Sequence, residues 1–215
     1  MRERLFFIGI LIFLSACKVP RQGISNSQSM RAIDLFKQYI TGDFNNERQV
    51  SEEVASGKQV HPLAIHVNRV ADHRILGAPE MDGFWILEES YYTYPGQETA
   101  LKPYLFRFEA LGDTAVLLTP YNMPKEIPPA DIRNDNPDFR LHFSKIEPSP
   151  SFKPAAYSLR DGKFHIHAVN ELPGGMRFSL IETISASKLE VMELLERDGK
   201  RLTPYDTPIV YDRVK

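Results

Sequence analysis

The chain has 215 residues, a length that a single all-β barrel or sandwich can fill. Its 42% hydrophobic and 11% aromatic residues are enough for a core, and 26 basic against 28 acidic residues leave a net charge of −2, which excludes a general binder of nucleic-acid backbones. One cysteine excludes an internal disulfide and every multi-cysteine metal or redox motif.

In chain order, a short charged start (residues 1–4) leads into an almost unbroken apolar run at residues 5–14. That run is about half the ~20 residues a membrane helix needs, and it suits the apolar region of a secretory signal. It ends in Leu14-Ser15-Ala16-Cys17, which resembles the bacterial lipobox, where small residues precede a cysteine that is lipidated and becomes the new first residue. The expected organisation is a lipoprotein signal peptide (1–16), a polar tether (17–28) and one domain (29–215), with Cys17 as the lipid anchor and the membrane as its first partner. Lys18 follows the cysteine, so no aspartate is present to signal inner-membrane retention. The sequence therefore points to lipid anchoring in the bacterial cell envelope, on the outer membrane, facing the periplasm or the outside.

Met30, Ile33, Phe36 and Tyr39/Ile40 recur three or four apart, the spacing of an amphipathic helix over residues 29–40, with Thr41-Gly42 as its stop. Asn45 or Asn46 is placed to cap a second short helix reaching about Gly57. From Leu63 the period changes to two, the mark of half-buried strands. Strands are predicted at 63–67, 84–94, 103–110, 114–122, 139–145, 156–159, 163–169, 176–183, 188–196 and 209–214. Several are separated by turn pairs such as Asp161-Gly162 and Asp198-Gly199. Residues 188–196 also fit a helical spacing; the hairpin turn after them favours strand. Nine or ten consecutive strands imply an antiparallel meander that must hide its edges, and closure into a barrel does so. Residues 120–154 hold eight of the sixteen prolines. Such a long irregular excursion at a barrel mouth is often a functional lid, the alternative being a plain surface loop.

Four stretches in order, "YITGDFNNERQV" (39–50), "HPLAIHVNRV" (61–70), "GFWILEESYYTYPGQ" (83–97) and "KPYLFRF" (102–108), resemble the CpcT/CpeT-type chromophore lyases, which attach an open-chain tetrapyrrole to cysteines of light-harvesting proteins. The resemblance implies a calycin (lipocalin-like) antiparallel β-barrel whose cavity is the ligand site. It implies a bilin or other tetrapyrrole as the ligand, and a chromophore-accepting protein as a partner if lyase chemistry operates. The family's third strand typically reads Pro-Tyr-Arg-x-Arg; here Pro103-Tyr104 and Arg107 match, and Leu105 stands in place of the first arginine. An arginine pair could clamp two propionates by bidentate hydrogen bonds, and a single arginine clamps one.

The expected ligand-binding residues are Arg107, Tyr104, Glu89, Trp85 and Tyr91, with Glu89 as the partner of a cavity-facing Arg107. Trp85, Leu87, Glu89 and Tyr91 share one strand face, while Phe84, Ile86, Glu88 and Tyr92 share the other. Adjacent Glu88 and Glu89 therefore cannot both enter one cavity, which argues against paired-carboxylate catalysis, and no catalytic residue is assigned. His165 and His167 share a strand face and His142 could add a third imidazole, but without a ligand at telling spacing a solvated polar face is the favoured assignment over a metal site. Two functions remain: a lipid-anchored barrel holding a bilin-like or other amphipathic small molecule, with lyase action on a protein cysteine as its extension, and a structural or lipid-binding envelope lipoprotein without enzymatic activity.

Overall fold

The computed structural model describes residues 30–214; Cys17, the tether and the signal segment lie outside them. The elements are α1 (Ala32–Ile40), β1 (Gly42–Asn45), α2 (Glu47–Ala55), β2 (Leu63–Val70), β3 (Ile75–Leu76), β4 (Gly83–Thr93), β5 (Ala100–Ala110), β6 (Ala115–Asn122), β7 (Leu141–His142), β8 (Glu147–Pro148), β9 (Ala155–Arg160), β10 (Lys163–Leu172), β11 (Met176–Ile184), β12 (Lys188–Arg197), β13 (Lys200–Arg201) and β14 (Ile209–Arg213).

Ten strands form one closed meander. In the order β1, β2, β4, β5, β6, β9, β10, β11, β12, β14, each pairs antiparallel with the next. The last strand pairs back onto the first at Phe44–Arg213, and an even number of strands lets that closing pair be antiparallel too. The barrel therefore has no free edge along this path. Its tight hairpins follow from local chemistry: Asp161-Gly162 and Asp198-Gly199 both take positive φ at each residue, as a type I′ turn requires. The ambiguous segment 188–196 is strand β12.

One end of the barrel is plugged by α1. Its apolar stripe, Ala32, Ile33, Phe36 and Ile40, is buried. The Phe36 ring lies 4.8 Å from Phe108, 4.8 Å from Tyr157 and 5.0 Å from Phe164. Helix α2 differs: it buries none of its residues and lies outside the barrel near β14. Asn46 does not cap it by a side-chain bond. Its amide bridges the carbonyl of Pro62 and the N–H of Ala64, and the neighbouring Asn45 side chain accepts the N–H of Glu47 instead.

Two departures from the expected elements matter. Gly42–Asn45, expected only to link the stop of the first helix at Thr41-Gly42 to the cap of the second at Asn45 or Asn46, is strand β1, and it closes the barrel. The predicted strand at 139–145 shrinks to β7 and a 3₁₀ turn, Phe143–Lys145. The proline-rich excursion does not fold over the mouth as a whole. It straps the outer wall, where β7 pairs in parallel with β3 and β8 pairs with β6. Ile132, Phe139, Leu141 and Ile146 then form a second apolar core with Trp85, Leu87 and Leu105.

Candidate functional site

Strand alternation decides what faces inward. Pairing places Glu88 opposite Tyr104, Phe106 opposite Pro120, Ile166 opposite Glu182 and Leu180 opposite Glu193. These residues and their same-face neighbours line the barrel interior. Below them, the aromatic layer around Phe36 is packed solid. Above it, the interior opens into a cavity of about 310 Å³. That volume is at the small end of ligand pockets, and it exists because ten strands make a wider barrel than the eight that side chains can fill. Ile40 of the plug contributes to its lining, and Tyr104, 39% exposed, stands at the open end.

The cavity wall is apolar over most of its surface, with Phe106, Leu118, Phe178, Leu180 and Val191 prominent. Three carboxylates break it: Glu88 from β4, Glu182 from β11 and Glu193 from β12. Glu182 accepts a 2.8 Å hydrogen bond from the Tyr157 hydroxyl. Burial pushes its carboxyl up to about 8, against that hydrogen bond and helped by Glu88 and Glu193. Glu193 is wetted through the open end, yet the surrounding protein and Glu88 still push it up to about 7, with Lys102 pulling the other way. His66, its side chain 6% exposed, completes the polar set. Its Nε2 is engaged by the hydroxyls of Tyr211 (2.9 Å) and Tyr92 (3.3 Å). Its Nδ1 has no hydrogen-bond partner and stands 3.6 Å from Glu88. Burial lowers the imidazole's pKa, opposed by Glu88.

Of the five expected ligand-binding residues, Tyr104 alone lines this cavity. Arg107, Glu89, Trp85 and Tyr91 have the opposite parity and lie on the outer wall, so the expected pairing of Arg107 with Glu89 inside the cavity is corrected. Arg107 sits over the Trp85 ring at 5.5 Å and reaches the Met81 carbonyl at 3.4 Å. Glu89 holds the strap: it accepts the N–H of Asn134 and the Tyr91 hydroxyl, and lies 2.9 Å from Arg133 Nε. Trp85 packs edge-on against Tyr121 and Phe143 beneath the strap. The proline-rich segment reaches the cavity at its two ends, through Pro120 of β6 and through Phe152, which meets Phe178 edge-on at 5.3 Å.

The residues that the sequence missed are Glu88, Glu182, Glu193 and His66. Glu182 and Glu193 were legible in principle, because each is a carboxylate at an inward position of an alternating strand. His165 and His167 face outward, opposite buried Phe164 and Ile166, and His165 Nδ1 lies 3.1 Å from the Thr183 hydroxyl. Among the described residues no three His, Cys, Asp or Glu side chains stand close enough to share a metal ion.

The class so defined is a closed ten-stranded up-and-down barrel with a ligand-sized cavity open at one end. A solved structure titled as the selenomethionine CRL protein of Arabidopsis shares this fold, with a TM-score of 0.62 over 86% of this chain and 100% of that chain, at 12% identity. No protein-family model and no curated protein matches the sequence.

Proposed function

We propose that this chain is a lipid-anchored barrel of the CpcT/CpeT type that binds a bilin-like or other amphipathic small molecule in its cavity. The observation that carries this is the cavity itself: about 310 Å³, closed by α1 at one end, apolar over most of its wall and polar at a few points. A purely structural barrel has no need to leave such a space, since interiors normally pack to near-crystal density. The ordered sequence stretches and the shared fold support the family assignment. Cys17 would hold the barrel to the cell envelope, on the outer membrane, and Lys18 agrees with that side. Attachment of the ligand to a partner protein's cysteine is the further step that the family resemblance suggests.

Titration of the full-length protein in neutral detergent with biliverdin, followed by absorbance, tests the reading. A saturable spectral change that is lost in Leu180→Trp, a folded variant with the cavity filled, is the expected result. An unchanged spectrum with biliverdin, and with a panel of lipids and pigments, would refute ligand binding and leave the structural lipoprotein.

A further inference from the structure

We infer that the cavity selects its ligand by charge, taking an organic nitrogen cation (a protonated amine or its quaternary counterpart) on an apolar body in preference to a carboxylate of the same size. The inference rests on the ligand-binding function proposed above for the same cavity. Three glutamates, Glu88, Glu182 and Glu193, enter one space from three different strands, and among the described residues Lys102 is the one lysine or arginine on its lining. Lys102 is exposed, with its Nζ 5.8 Å from the Tyr92 ring, so its charge is shared with water. Deeper in, His66 Nδ1 is buried and unpartnered. Burying a polar atom without a partner costs free energy, and a ligand group that reaches it recovers that cost.

The carboxyl groups are spread around the wall rather than gathered at one point. Among the described residues they form no cluster that could hold a metal ion. A wall of spread carboxyl groups interleaved with aromatic faces suits an extended organic cation, which favours their ionised form and gains both charge-assisted hydrogen bonds and ring contacts from Tyr104, Phe106 and Tyr157. A carboxylate in the same place would bring a further negative charge into a poorly solvated space where Glu182 and Glu193 already resist ionisation. A ligand with both groups would leave its carboxylate outside, beside Lys102.

The test uses full-length protein in neutral detergent and three probes with one fluorophore: dansylcadaverine (amine head), ε-dansyl-aminohexanoic acid (carboxylate head) and an uncharged dansyl amide. Protein-dependent emission measures binding. The amine is expected to bind at least about tenfold tighter than the carboxylate, the equivalent of about 1.4 kcal/mol. The triple variant E88Q/E182Q/E193Q should erase that preference. Since three changes in one interior could impair folding, Glu193→Gln alone, at the wetted end, should reduce the preference by about threefold or more. A preference unchanged in the folded Glu193→Gln and triple variants would overturn the proposal. So would equal binding of amine and carboxylate alongside a bound neutral probe, which leaves the cavity as a ligand site. Binding of none of the three would overturn the ligand-site function and this inference together.

Discussion

Glu182 is a carboxyl whose proton the fold retains. Unfolded, it titrates near its ordinary value of 4.5; folded, near 8, because burial beside Glu88 and Glu193 penalises its charge. Between those values the folded chain binds more protons than the unfolded one, so stability falls as pH rises. Glu193 adds a shift of the same sign, complete by about 7. His66 acts the other way, since its lowered pKa makes stability rise with pH, but only below its ordinary 6.5. The melting temperature is therefore expected to drop from about pH 7 to about pH 9, and less steeply in Glu182→Gln. Calorimetry at these pH values checks it, and a wild-type melting temperature that holds or rises would contradict the assignment. Arg107 gives a second prediction. Its place on the outer wall over Trp85 means that Arg107→Leu should cost about 1 kcal/mol in urea unfolding while ligand affinity stays within about twofold. A large affinity loss without destabilisation would return Arg107 to the ligand.

At the scale of elements, α1 is the stopper. Phe36 is fully buried against four aromatic rings, so Phe36→Ala should cost about 3–5 kcal/mol, read from the urea midpoint. A smaller loss would mean that the plug collapses around the gap. The alternating strands and the helix stripe were legible because each has one wet face and one dry face. The cavity-facing parity of β4 was not, for a physical reason. Phe84, Trp85, Ile86 and Leu87 are all buried, the even positions by the barrel interior and the odd ones by the strap. A strand dry on both sides carries no alternation to read. The strap itself was hidden because its partners, such as Asn134 with the Val67 and Leu87 carbonyls, are distant in sequence. Likewise β1, four residues long, draws its strand character from pairing with β14 at the far end of the chain. Asn134→Ala should release the strap and raise protease cleavage within 123–154 while leaving the barrel melting as one unit; unchanged cleavage would show that the apolar contacts hold the strap alone.

At the scale of the molecule, a membrane-tethered cup with a stoppered base and an open rim would keep a poorly soluble ligand out of bulk water while holding it near the envelope. Cys17→Ala is expected to move the protein from the membrane fraction to the soluble fraction, and retention on the membrane would refute the lipid anchor. The most direct measurement is mass spectrometry and an absorbance spectrum of small molecules released from the full-length protein purified from its own host, with Leu180→Trp purified in parallel. An amphipathic compound recovered from wild type in near-stoichiometric amount, and absent from the folded cavity-filled variant, is the predicted result. Wild-type protein without any bound compound, and indifferent to biliverdin and to the dansyl probes, would contradict it.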